Sequence, residues 1–190
     1  LSRTKISGNN NIISKKSLLV IWLLLSVITA FSYNNWIDPN HINYYRPVYS
    51  DIIPQIGIMV NRFQEQEFPY QWIREWSHHL FPTYMPLQWM PFIAAEKLNL
   101  DYRWFAFIIF ALTSLIFQWK IINSNLTYIS ALYITISIWL ILIMYIINYG
   151  IASVHNIELL IVAYYLLLSI SIHSDSIILK IAAVVLCLLS

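Results

Sequence analysis

The sequence predicts an all-α protein, a polytopic transmembrane helical bundle with one long water-facing loop between its first two spans. Three observations lead there. Hydrophobic residues fill 59% of the 190 positions and charged residues only 11%, against about 25% charged in an ordinary soluble domain. Several apolar runs reach the ~20 residues a helix needs to cross the hydrocarbon core of a bilayer. The charge that exists is also gathered: of 11 basic and 9 acidic residues, eight fall between Asn34 and Tyr84.

The first run, 17–37, carries no charge and follows Lys15 and Lys16. A signal peptide would end in a small-residue cleavage site. This run leads instead into Tyr33 and Trp36, an interfacial aromatic pair, so it reads as an uncleaved span. A second span is expected over 80–98, interrupted by Pro82, Pro86 and Pro91, with a short apolar heart at 85–95. Further spans are expected at 104–119, bracketed by tryptophans, at 126–147, at about 152–172, and from Ile177 onward. The chain opens on Leu1 and stops at Ser190 inside an apolar run, which suggests a fragment truncated at its C-terminus.

Lys and Arg set orientation. Arg3, Lys5, Lys15 and Lys16 precede the first span, so 1–16 is expected to be a cytoplasmic tail and 17–190 the transmembrane region. Alternation then puts Lys97 and Arg103 inside, Lys120 and Lys180 near the outer side, and the loop 34–84 outside the cytoplasm. The net charge of +2, from scattered basic residues, excludes a nucleic-acid partner. The single cysteine, Cys187, lies in an apolar run and offers no disulfide or zinc framework.

The loop holds Asp38, Arg46, Asp51, Arg62, Glu65, Glu67, Arg74 and Glu75, with Trp36, Trp72 and Trp76. Long ordered loops usually carry function. Within it, Ile52, Ile56, Met59, Val60 and Phe63 recur at helical spacing, while Gln55, Arg62 and Glu65 fall elsewhere. Ser50 or Asp51 can cap this helix, and Pro54 is tolerated in its first turn. Such a helix is expected to lie on the membrane surface. Its N-terminal partial charge favours ionised Asp51, a carboxylate suited to general-base work at a water–lipid boundary. Asp51 read only as a helix cap is the competing reading, and local chemistry alone favours it. Asp38 is a rival base, but it precedes Pro39 and reads as a turn residue.

Other residues carry two readings each. His78 and His79 can contact acceptor or phosphate, or be interfacial; adjacent histidines diverge on a helix and make a poor metal pair. His155 and Glu158 share a helical face and are either functional or placed cheaply at the cytoplasmic end of the fifth span. Trp72 and Trp76 suit sugar stacking or membrane contact. Asn125-Leu126-Thr127 fits a glycosylation sequon at a span boundary.

A wider pattern joins these residues. An aspartate follows the first span, then a surface helix, then Glu67-Phe68-Pro69-Tyr70. Next come Pro82-Thr83-Tyr84-Met85-Pro86-Leu87 and Met90-Pro91-Phe92. This resembles the N-terminal half of GT-C superfamily glycosyltransferases, in particular the bacterial mannosyltransferases that use polyprenyl-phosphate mannose. Val154-His155-Asn156 before Leu159-Leu160 loosely resembles that family's Gly-Gln-x-Asn segment. The family's Tyr-Pro-Pro is Tyr84-Met85-Pro86 here, the Gly-Gln is absent, and no Asp-x-Asp pair stands in the loop, which argues against a metal-dependent branch.

The resemblance implies a multi-pass enzyme of the bacterial plasma membrane. Its partners would be the lipid bilayer, a sugar donor carried on a polyprenyl phosphate, and a glycan, lipid or protein acceptor. No further cofactor is implied. Asp51 would take the acceptor proton in an inverting transfer. Arg46, Arg62 and Arg74 are candidates for the lipid phosphate, since a planar guanidinium fork binds two oxygens. Tyr70, Tyr84, His78 and His79 complete the candidate substrate contacts. Two other readings remain open, a transporter or flippase for lipid-linked or polar solutes, and a non-catalytic membrane subunit. A transporter should show internal repeats with broken helices, and no such repeat is visible.

Overall fold

A computed structural model describes residues 8–37, 50–74, 76, 79–150, 157–172 and 176–188. Among these, eight helices and no strand are present, so the all-α expectation holds. Helix α1 is Gly8–Asn34, α2 is Ile52–Gln64, α3 is Pro86–Trp89 and α4 is Phe92–Lys97. Helix α5 is Tyr102–Ile122, α6 is Tyr128–Tyr149, α7 is Glu158–Ile172 and α8 is Ile177–Leu188.

Three helices are long and apolar enough to cross a membrane: Lys16–Asn34 within α1, and the whole of α5 and α6. The 21 residues of α5 give about 32 Å at the α-helical rise, close to the ~30 Å hydrocarbon core. Their outward faces carry Leu23, Leu24, Val27, Phe31, Leu112, Ile116, Ile141 and Met144, all well exposed. An apolar exterior of this extent needs lipid or a partner against it. Hydroxyls in these helices fold back on their own backbone. Thr29 donates to the Leu25 carbonyl at 2.7 Å, and Thr135 to that of Ala131 at 2.8 Å. That satisfies them without water.

The helices pack in the order α6, α1, α5, α7, α8. Trp139, fully buried, is the hub between α6, α1 and α5. It meets Trp22 edge-on at 5.7 Å and Phe110 at 5.4 Å. The Trp22 indole N–H donates to the Ser114 hydroxyl at 3.1 Å. At one end of the bundle, Leu18 of α1 packs with Ile121 of α5 and Ala131 of α6. At the other end, Tyr33 of α1 stacks on Phe107 at 5.2 Å and donates to the Arg103 carbonyl at 3.3 Å. Helix α5 therefore runs antiparallel to α1, and α6 runs parallel to it.

That alternation corrects the expected second span. Residues 80–98 form no spanning helix; they hold only α3 and α4, of 4 and 6 residues. Pro86 is the first residue of α3 and Pro91 caps α4. Proline donates no backbone hydrogen bond, so it starts helices and interrupts them. The apolar heart serves a different burial: Trp89, Phe92 and Ala95 are buried in the main core. The loop thus extends to Asp101. Lys97 and Arg103, expected on the opposite side, lie at the loop's end of the bundle.

Helix α2 forms where the periodicity placed it, but it is not laid on a surface. Residues 53–57, Met59, Val60 and Arg62 are all buried, including Gln55 and Arg62 from the expected polar face. The helix packs on α3 and α4 and joins the core shared by α1, α5 and α7. The fifth apolar run appears as α7, of 15 residues, and the sixth as α8, of 12.

Candidate functional site

The loop, α2, α3 and α4 make a cap over one end of the bundle, and arginine and tyrosine side chains hold it. Arg62, in the last turn of α2, donates from Nη1 to the Gln71 carbonyl at 2.8 Å and from Nη2 to the Trp72 carbonyl at 3.2 Å. Its buried guanidinium clamps the returning chain. Beyond it, Ile73 and Leu80 exchange backbone hydrogen bonds at 2.8 and 3.2 Å, forming an isolated antiparallel bridge. Tyr70 donates its phenol to the Tyr84 carbonyl at 2.9 Å and accepts the Trp89 indole N–H at 3.0 Å. The Pro-Tyr dipeptide thereby fixes the opening of α3.

A groove of about 640 Å³ lies over this clamp, lined by Arg62, Glu67, Tyr70, Gln71, Trp72 and Arg74. Trp72 is 54% exposed, so its ring face can meet a sugar. Trp76 is 4% exposed and belongs to the cap's interior, which removes it from both sugar stacking and membrane contact. His79 is exposed. Arg46, His78, Asp38, Glu75 and His155 lie outside the described residues.

Asp51 stands at the other end of α2, half-buried, and does not line that groove. Its carboxylate makes no capping hydrogen bond. The Ser50 hydroxyl accepts the Ile52 N–H at 3.3 Å instead, and only the Asp51 carbonyl takes part in the helix, accepting from Gln55 at 2.8 Å. Asp51 as a side-chain cap, the bland reading of this residue, is thus not what α2 uses. Eleven residues of helix separate Asp51 from Arg62, about 16 Å at 1.5 Å per residue. Arg62 and Arg74 thus line a groove set apart from the Asp51 carboxylate.

Asp51 has other company. The Tyr84 phenol is pushed up from its usual 10.0 to about 12, first by burial, then by the negative charges of Asp51 and Glu158. Tyr84 therefore sits within electrostatic reach of both carboxylates. Glu158 opens α7, and Ile157, Leu159 and Leu160 join the core beneath the cap. Glu158 is at the loop's end of the bundle, the end that also holds Asp51 and Tyr84. The mistaken second span had inverted the parity of everything after it.

Two further features go beyond the sequence expectations. Asp101 caps α5 by accepting the Arg103 N–H at 2.8 Å, and its carboxylate also grips the Arg103 guanidinium at 2.6–3.1 Å. Gln55, 3% exposed, has an amide nitrogen with no hydrogen-bond partner, one helical turn beyond Asp51. Asp-x-Arg ahead of an apolar run was a readable signal for the first; burial of Gln55 needed the cap. Among the described residues no three His, Cys, Asp or Glu side chains gather in a way that could hold a metal.

What the fold defines is an all-helical chain with three helices able to cross a membrane and a polar cap over one end. No family model, no curated protein and no solved structure matches it.

Proposed function

We propose that the chain is part of a membrane glycosyltransferase that takes its sugar, mannose on the resemblance, from a polyprenyl-phosphate donor. The observation that carries this reading is Asp51. Its carboxylate is half-buried at the head of α2, is not spent on capping, and shares the surroundings of Tyr84 with Glu158. A carboxylate so placed can take the proton of an acceptor hydroxyl. As the hydroxyl oxygen bonds to the anomeric carbon, the bond from that carbon to the phosphate oxygen breaks. The polyprenyl phosphate leaves with the electron pair, and the configuration inverts. Tyr84, protonated far above neutral pH, is a hydrogen-bond donor beside the base.

The leaving lipid phosphate needs a cation on the face of the anomeric carbon opposite the Asp51 base, and Arg46, Arg62 and Arg74 are the candidates for it. Arg62 and Arg74, with Trp72 and Tyr70, line a groove apart from Asp51 that also suits an extended glycan acceptor. Orientation follows from lysines. Lys16 and Lys120 share the end of the bundle away from the cap, because Leu18 packs with Ile121. Lysine-rich ends face the cytoplasm, so the cap would face outward in a bacterial plasma membrane.

The test supplies the protein in phosphatidylcholine vesicles with radiolabelled polyprenyl-phosphate mannose and mixed glycan acceptors. The account expects a new glycosidic product and free polyprenyl phosphate in equal amounts. Movement of the intact lipid-linked sugar between leaflets with no new bond would mark a flippase and overturn the reading.

A further inference from the structure

The end of the bundle opposite the cap holds a second cavity, of about 320 Å³, unconnected with the chemistry above. Phe117, Ile121, Leu126, Ile134 and Ile170 make its walls apolar, and Lys120 stands at it as the one lining cation. Its walls come from the end of α5, the turn into α6 and the tail of α7. Trp119, 58% exposed beside Lys120, is an interfacial anchor by its position at a span end. The cavity therefore lies at headgroup depth, not at the bilayer midplane.

Among the described residues, charge at this end is of one sign; Asp175, between α7 and α8, lies outside them. Lys16 is exposed at the same end, as the packing of Leu18 on Ile121 requires. Lys180 lies in the first turn of α8, which starts five residues beyond the end of α7. No described carboxylate pairs with Lys120. The opposite end carries both signs: Asp51, Glu96, Asp101 and Glu158 with Arg62, Arg74, Lys97 and Arg103. A cavity between transmembrane helices, apolar inside and basic at its mouth, matches an amphiphile with an apolar tail and an anionic head. A zwitterionic lipid would fill the apolar part equally well and would gain nothing from the lysine.

We propose that this cavity binds one anionic phospholipid of the leaflet opposite the cap, an acyl chain between α5, α6 and α7 and the phosphate head against Lys120. The site is independent of sugar transfer and stands whether or not that reading does. Being at the far end of α5 and α7 from the cap, it would tie the helices that carry Asp101 and Glu158 to the lipid composition of the other leaflet.

The test is native mass spectrometry of the full chain released from vesicles of equal phosphatidylglycerol and phosphatidylcholine. Retained phosphatidylglycerol should exceed phosphatidylcholine at least tenfold. Lys120→Gln should abolish that preference, Lys120→Arg should keep it, and Ile134→Trp, which fills the cavity, should lower retention of both lipids. Equal retention of the two lipids by the unaltered chain, or an undiminished preference in Lys120→Gln, overturns the proposal. Displacement of the lipid by millimolar inorganic phosphate would also overturn it, since the acyl chain would then contribute nothing. Lys120 is exposed, so its variants leave the packed core untouched.

Discussion

Tyr164 of α7 donates its phenolic hydrogen to the backbone carbonyl of Leu87, 2.7 Å away and 77 residues earlier in the chain. This bond ties the helix that begins with Glu158 to the cap that carries Tyr84. It explains why the two carboxylates, Asp51 and Glu158, act on one phenol. Tyr164→Phe should leave the Leu87 carbonyl without its partner and destabilise the docking of cap on bundle by about 1–2 kcal/mol. Proteolysis should reveal it: cleavage within the cap should quicken while the spans stay protected. An unchanged cleavage pattern would show that the bond does not hold the cap.

Arg62 is predicted to be a stability residue before it is a binding residue. Arg62→Ala removes the donors to the Gln71 and Trp72 carbonyls that hold the returning chain, a loss of about 1–3 kcal/mol in thermal unfolding. Arg62→Lys should recover part of this, because an ammonium can reach one carbonyl but lacks the fork. Arg74, exposed on the same groove, should affect acceptor affinity with stability nearly unchanged.

The Tyr84 phenol gives a pH signature. Its folded value of about 12 lies above the ordinary 10.0, so the folded chain holds that proton where the unfolded chain has released it. The contribution is complete below pH 10 and is lost as pH rises from 10.0 towards about 12. Unfolding of the native chain should therefore steepen with pH across that window relative to Tyr84→Phe, which lacks the group. Identical alkaline profiles would place Tyr84 in ordinary solvent.

Most of the helices were legible because apolar runs are long where lipid is the solvent. The spanning part of α1, Lys16–Asn34, and helices α5 and α6 follow the runs at 17–37, 104–119 and 126–147, while α1 itself starts earlier, at Gly8. The failure at 80–98 has a specific cause: Trp89, Phe92 and Ala95 are apolar because they face a protein core, and hydropathy does not distinguish that from lipid. Pro82, Pro86 and Pro91 were the signal against a span. Counting that span exchanged the two ends of the bundle for Lys97, Arg103 and Lys120. The site was legible as residue types and not as roles. Arg62 reads as a phosphate ligand until the carbonyls of Gln71 and Trp72 are seen against it. Asp51 reads as a cap until Ser50 is seen accepting the Ile52 N–H.

The central claim rests on the Asp51 carboxylate, and one variant tests it. Asp51→Asn keeps the shape of the side chain, and the helix cap does not depend on it, so folding and donor binding should be retained. Sugar transfer from the polyprenyl-phosphate donor should fall by about 10²–10⁴-fold, the usual contribution of a general base. Transfer at the unaltered rate in a folded Asp51→Asn chain would contradict the account.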